Sequence, residues 1–317
     1  MAEQNTIALI WDFDKTLING YMQEPIFKRY KVDAKAFWNE VNELPMQYKK
    51  KGVRVNNDTI YLNHMITCVN QGIFPGLNNE LLTELGKELT FYPGVIEIFK
   101  DLKTKISENT LYQQYGIHVE HYIVSTGLTA MIRGSAIKEY VENEGIWGCE
   151  FIEDPIQSEL MERNTQNNED KLIRQTGYII DNTSKTRAIF EINKGVNKHN
   201  YIDVNSKIEK KDRRVPFENM IYIADGPSDV PVFSILQQYG GKTFAIYPKG
   251  DEDAFSQVDN LRRDGRIDMY AEADYSEGTT AYMWLLKQTE KIANNIYEKR
   301  EDELKRAVSQ VPVHIIH

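Results

Sequence analysis

The feature that most constrains this chain is a set of short, unbroken apolar runs at residues 7–11, 122–124, 178–180, 220–224 and 242–247. Continuous apolar runs, as opposed to an in-out alternation, are what strands covered on both faces by helices require. Helical patterns lie between them. One opens at Pro93 and puts Val95, Ile98, Phe99 and Leu102 on one face, with proline as a start signal. Another covers residues 184–194 and stops at Gly195. A third follows Asp229, turns Val232, Phe233 and Leu236 inward and ends at Gly240-Gly241. This alternation predicts the α/β class, with a Rossmann-like, doubly wound and mainly parallel sheet.

Residues 18–90 interrupt the alternation. They read as three or four helices: 34–44 capped by Asp33, 59–70 capped by Asp58 and stopped by Gly72, and 79–89 carrying Leu81, Leu82, Leu85 and Leu89 at helical spacing. The expected organisation is a core of residues 1–17 and 91–317 with a small helical cap of residues 18–90. The cap leaves from the carboxyl end of the first strand, where open α/β sheets bind ligands. Residues 159–171 and 197–214 read as surface loops. Residues 279–310 read as a long charged helix, packed on the domain or serving as a homodimer contact.

A formal net charge of −9 over 317 residues argues against nucleic acid or an anionic membrane surface as partner. A small anionic substrate stays compatible, because one metal ion and one lysine can reverse the local field. Cys68 and Cys149 show no spacing that suggests a disulfide framework or a zinc site. The first residues carry no signal-peptide pattern, and no apolar stretch approaches the roughly 20 residues that span a bilayer. The expectation is a cytoplasmic protein.

Four polar groups follow apolar runs. The first strand runs directly into Trp11-Asp12-Phe13-Asp14-Lys15-Thr16. Two carboxylates at the end of a buried strand are costly unless something compensates them, and Mg²⁺, which takes oxygen ligands, would do so. An Asp-rich turn explains the same residues. Ser125-Thr126-Gly127 offers a hydroxyl and free backbone N–H groups suited to a phosphate, or a plain helix cap. Lys185, near the start of its helix, can reach a nucleophile and phosphoryl oxygens, whereas Lys194 at the far end carries a common C-terminal charge. Asp225-Gly226-Pro227-Ser228-Asp229 places a second carboxylate pair after a second strand, or forms an Asp-Gly turn with Asp229 as a cap.

These four groups, in this order, resemble the four motifs of the haloacid dehalogenase superfamily over residues 7–247. The spacing resembles the phosphoserine-phosphatase-like subgroup, which carries a helical cap between motifs one and two. Phe91-Tyr92-Pro93-Gly94 is similar to that subgroup's return segment. The resemblance implies a Mg²⁺-dependent phosphomonoester hydrolase. Asp12 would be the nucleophile that forms an aspartyl-phosphate, and Asp14 the general acid and base. Lys185, Ser125, Thr126, Gly127 and Thr16 would bind phosphate, and Asp12, Asp14, Asp225 and Asp229 would hold the metal. Glu24 is the nearest candidate for the family's cap glutamate, and Arg54 could meet a carboxylate or second phosphate on a small phosphorylated metabolite. Lys15 stands where many members have glycine, motif two reads Ser-Thr-Gly where phosphoserine phosphatases have Ser-Gly-Gly, and Ala224 also replaces a glycine. These departures leave phosphoserine itself open as substrate. A phosphotransferase would use the same intermediate, and a phosphometabolite-binding module is the non-catalytic reading.

Overall fold

The structure, a computed structural model, describes residues 3–156 and 171–309. In chain order its elements begin with β1 (Thr6–Trp11), α1 (Glu24–Tyr30), α2 (Ala34–Lys50), α3 (Ile60–Asn70) and α4 (Asn79–Gly86). They continue with α5 (Val95–Ser107), α6 (Thr110–Gln113), β2 (His118–Leu128), α7 (Thr129–Gly134), β3 (Ile146–Cys149), β4 (Phe151–Ile152) and β5 (Gln175–Thr176). The last are α8 (Lys185–Lys194), β6 (Met220–Ala224), α9 (Val230–Gln238), β7 (Lys242–Tyr247), α10 (Glu252–Arg263), β8 (Met269–Glu272) and α11 (Thr280–Ser309).

Six strands form one parallel sheet in the order β3-β2-β1-β6-β7-β8, with helices around it, as the apolar runs predict. β1, β6 and β7 are buried along nearly their whole length, which is why their sequences carry no alternation. β1 lies at the switch point. The chain leaves it toward β2 on one side and later returns at β6 on the other, so a crevice opens at its carboxyl end. Trp11 is level with Ile123 of β2 and Ile223 of β6, and the Asp12 N–H donates to the Ile223 carbonyl at 2.8 Å. The residues just past these three strand ends are therefore neighbours.

One expected strand is absent. Residues 178–180 are not part of the sheet. Tyr178 and Ile179 are exposed and only Ile180 is buried, so the run is an irregular segment, bent at Tyr178, with a single inward side chain. Its backbone serves the segment after β3, where the Glu150 N–H donates to the Tyr178 carbonyl at 2.8 Å. The sheet edges are instead β3 and β8, four residues each, too short to stand out as apolar runs. β2 is longer than expected, and its pairing with β3 shifts between Val124 and Leu128, across the Ser-Thr-Gly group.

Four helices lie between Glu24 and Gly86. Asp33 caps α2 as expected, accepting from the N–H groups of Lys35 and Ala36. That helix passes through Pro45 and reaches Lys50 instead of stopping at Leu44; a proline removes one helical hydrogen bond but does not force an end. Asp58 does not cap α3, because its carboxylate accepts from the Asn182 N–H at 3.3 Å. α4 lies against α7 at close range: a Cβ on Gly134 would sit 1.8 Å from the Thr83 carbonyl oxygen, and one on Gly86 would sit 2.2 Å from that of Met131. α11 buries Ala281, Leu285, Ile292, Ala293 and Ile296 at helical spacing, so its apolar face is taken up by its own core. Residues 197–214 form a loop with one short 3₁₀ turn. Of the expected 159–171 loop, residues 159–170 lie outside the described residues.

Candidate active site

Asp12 is the first residue past β1, and it is buried. Its Oδ1 accepts from the Lys185 ammonium at 2.9 Å, and its Oδ2 from the Thr16 hydroxyl at 3.3 Å. Thr16 is itself fixed, since its carbonyl accepts from the buried Tyr275 hydroxyl at 2.8 Å. Lys185 is buried on the first turn of α8 and also donates to Asp229 Oδ1 at 2.7 Å. The structure brings Lys185, and not Lys194, to this cluster; the Lys194 ammonium donates to the Val204 and Ser206 carbonyls.

Asp225 and Asp229 follow β6. The turn needs Gly226, which sits at φ 127°, a region that disfavours any side chain. Asp229 is fully buried and accepts from Lys185, from the Tyr222 hydroxyl at 2.5 Å and from the Ser228 hydroxyl at 2.7 Å. Asp225 makes no side-chain hydrogen bond among the described residues. Carboxylate oxygens of Asp12, Asp225 and Asp229 all lie within 4.8 Å of one another.

Asp14 turns away from Asp12 toward the helical segment, where the Met22 N–H donates to its Oδ1 at 2.9 Å. Lys15 follows at φ 56°, left-handed backbone that a glycine would adopt without strain. Its ammonium lies 4.7 Å from the centre of the Tyr21 ring. Ser125 is buried, and its hydroxyl accepts from the Gly127 N–H at 3.0 Å, so it is not a helix cap. Gly127 is packed under Met22, whose Cε would be 2.2 Å from any Cβ there. Thr126 is tied to α3 by the Tyr61 hydroxyl, which donates to its carbonyl at 2.7 Å.

The electrostatics follow from burial. Asp12 is raised to about 6, first by loss of water and then by the charge of Asp229, with Lys185 opposing. Asp225 is raised to about 7 by burial and the charges of Asp12 and Asp229. Asp14 is raised to about 8 by burial and by Asp12. Lys185 is pushed upward, its desolvation outweighed by Asp12 and Asp229 together. The carboxylates of Asp12, Asp225 and Asp229 thus converge beside one fully buried ammonium. That imbalance and the convergent oxygens suit a divalent cation.

A cavity of about 190 Å³ opens over Asp14, Thr126 and Gly127. Its far walls are Tyr21, Gln23, Trp38 and Asp58. Arg54 lines a neighbouring groove with Lys49 and Val53, which shares only Asn57 with this cavity. Glu24 is exposed at the start of α1 and lines neither space. Tyr222 was unmarked, although a hydroxyl inside the buried run Met-Ile-Tyr-Ile-Ala must find a partner, and that is a readable signal.

No family model matches the chain. An uncharacterized protein of Borreliella burgdorferi is 40% identical over 291 residues, covering 90% of this chain and 97% of that protein. The two belong to one family. Among solved structures, the fold is similar to a phospho-aspartyl intermediate analogue of phosphoserine phosphatase, at 17% identity and TM-score 0.46, covering 84% of this chain and 93% of that one. It is also similar to cytosolic 5'-nucleotidase IIIB bound to cytidine (13%, TM-score 0.46, 92% and 88% covered). A third is a haloacid dehalogenase-like family hydrolase from Streptococcus pneumoniae (15%, TM-score 0.38, 84% and 94% covered). At these scores and identities the likeness carries no activity over to the family.

Proposed function

We propose that the chain is a phosphomonoester hydrolase of the haloacid dehalogenase type, working through an aspartyl-phosphate on Asp12. The observation that carries this reading is the buried Lys185 ammonium held between Asp12 and Asp229, beside Asp225 and at the switch point of the sheet. Asp12, Asp225 and Asp229 would hold Mg²⁺, which when bound neutralises negative charge on the phosphoryl group and the carboxylates.

The residues of the chain divide the work. Lys185 and the Thr16 hydroxyl hold the Asp12 carboxylate in one orientation, so one oxygen can attack phosphorus in line with the leaving oxygen. An Asp12–phosphorus bond forms as the ester P–O bond breaks. Asp14, whose carboxyl burial holds above the usual carboxylate range, gives a proton to the departing alkoxide. A water then attacks phosphorus, loses its proton to Asp14 and releases phosphate from Asp12. Ser125, Thr126, the Gly127 N–H and Lys185 would bind the phosphoryl oxygens. Residues 18–90 would form a cap over a core of residues 1–17 and 91–317, excluding water while the intermediate stands. A roofed site suits a small phosphorylated substrate.

The test is release of phosphate from an aryl phosphate in Mg²⁺ and in chelator, with Asp12→Asn beside the native chain. Mg²⁺-dependent turnover that Asp12→Asn abolishes is expected, with acid-stable trapping of phosphate on Asp12 in the native chain. Undiminished turnover by Asp12→Asn would refute the mechanism.

A further inference from the structure

Lys185 reaches Asp12 and Asp229 from the first turn of α8, so whatever fixes that turn fixes the ammonium. Asp181 fixes it. Its Oδ1 accepts from the N–H groups of Thr183 at 3.1 Å and Ser184 at 2.6 Å, and its carbonyl accepts from the Lys185 N–H at 3.0 Å. The Ser184 hydroxyl accepts in return from the Asp181 N–H at 2.7 Å, which makes the cap reciprocal. The Ser184 N–H, foremost among these donors, holds the Asp181 carboxyl below the usual carboxylate range.

The second oxygen of Asp181 is left over from the cap. It accepts from the Asn56 amide at 2.9 Å. Asn56 is itself held, because its Oδ1 accepts from the Asp58 N–H at 2.8 Å, which leaves its amide nitrogen for Asp181. Beside this pair the Asn182 N–H donates to Asp58 Oδ2 at 3.3 Å. Further along the same segment the Tyr61 hydroxyl donates to the Thr126 carbonyl at 2.7 Å. The stretch that opens α3 therefore touches the Ser-Thr-Gly group on one side and the start of the lysine helix on the other. Its residues Asn57, Asp58 and Tyr61 wall the cavity over Asp14. A plain helix cap would need neither Asn56 nor Asp58. Misplacing a group in a site by about 1 Å can cost about 100-fold in rate, so a contact that steadies the turn under Lys185 bears on turnover.

Resting on the hydrolase reading above, we infer that Asp181 is a positioning residue for Lys185, and that Asn56 clasps it so that the lysine is aligned when the segment opening α3 is seated over the cavity. Seating of that segment and alignment of the site's positive charge are then one event.

The experiment exchanges the pair. Asn56→Asp sets two carboxylates against each other across a 2.9 Å contact. Asp181→Asn keeps an acceptor for Thr183 and Ser184, since asparagine caps helices as well as aspartate does, but turns an amide toward the Asn56 amide. The double variant restores one donor and one acceptor in reverse order. Two readouts are taken on the full chain, under conditions where circular dichroism shows all four forms folded. They are kcat and KM for an aryl phosphate in Mg²⁺, and amide exchange over residues 182–186. Asn56 is exposed and water screens the repulsion, so each single variant is expected to lower kcat about three- to tenfold, with KM held within about twofold. Exchange should quicken by at least about threefold in each single variant, and the double variant should return to within about twofold of the native chain in both readouts. A cap with no positioning role would leave kcat of the folded single variants native. Native kcat in both single variants, loss confined to KM, or a double variant that sums the two defects would overturn the inference. The hydrolase reading is reported separately, by turnover in the native chain that Asp12→Asn abolishes. If no ester is hydrolysed, the exchange cycle still decides the clasp: restoration in the double variant supports it, and unchanged exchange in the single variants or no restoration refutes it.

Discussion

Replacing Lys185 by methionine isolates the element on which the site depends. Methionine is unbranched and of similar length, so the change removes charge with little loss of volume. The ammonium lies 2.9 Å from Asp12 and 2.7 Å from Asp229, and all three groups are buried. At an effective dielectric constant near 20, each contact contributes a gross attraction of about 6 kcal/mol. Most of that is offset by the water the three groups gave up on folding. What remains when one partner is removed is the cost of buried charges left uncompensated, about 3–5 kcal/mol. A domain stable by about 5–15 kcal/mol would lose a large part of its margin. The assay is urea unfolding in chelator, followed by far-ultraviolet circular dichroism, repeated with Mg²⁺. Lys185→Met is expected to unfold at a much lower urea midpoint in chelator and to recover in part with Mg²⁺, since the ion supplies positive charge to the same oxygens. Turnover of an aryl phosphate should fall at least about 100-fold even where the protein is folded, as when one fixed donor to developing charge is removed. A midpoint equal to the native chain's in chelator would refute the reasoning, because the carboxylates would then not need the lysine.

Three further outcomes follow from particular contacts. Gly134→Ala drives a methyl into the Thr83 carbonyl across the α4–α7 contact and should cost at least about 1–3 kcal/mol, read as a lower urea midpoint; an unchanged midpoint would show that the two helices separate freely. Mg²⁺ at about 100 times its dissociation constant should stabilise the native chain by about 2.7 kcal/mol, seen as a raised Tm, and Asp225→Asn should remove most of that gain. His121 accepts from the Trp11 indole N–H at 3.1 Å, stacks on Phe99 and is lowered to about 3 by burial. Below pH 6.5 the unfolded chain gains a proton there that the folded chain refuses, so this histidine's contribution to stability shrinks as pH falls. The destabilisation caused by His121→Phe should therefore diminish by about 2 kcal/mol between pH 6.5 and 4.5, and a pH-independent difference would contradict the assignment.

The parts of the fold that were legible are those where burial on both faces erases alternation. β1, β6 and β7 stand out because every inward and outward position is apolar or nearly so. β3 and β8 did not, because a four-residue edge strand needs neither length nor two buried faces. Residues 178–180 misled for the opposite reason: two of the three are apolar yet exposed, and the run serves β3's follow-on segment instead of the sheet. In the site, Asp12, Lys185, Asp225 and Asp229 were marked by polar groups at the ends of apolar runs, and strand register brings them together. Gln23, Trp38 and Asp58 carried no such mark. Their meeting depends on how four helices pack over the strand ends, and helix periodicity gives only the buried face of each helix.

The two aspartates after β6 illustrate how chemistry can be divided between residues of one type. Asp229 is fully buried, and it accepts from Lys185, Tyr222 and Ser228, so three donors already occupy its oxygens. Asp225 is less buried, has no side-chain hydrogen bond among the described residues and is raised by loss of water and then by its acidic neighbours. An oxygen with unused lone pairs and repelling neighbours is the better seat for an incoming cation. An oxygen already saturated is the better buttress for a lysine. On this ground Asp225 would share the cation with Asp12, while Asp229 would hold Lys185 against Asp12 and reach the ion only through its remaining capacity. The segment after β6 that carries both would therefore set the metal and the nucleophile's orientation at once, with Gly226 providing the sharp turn between them.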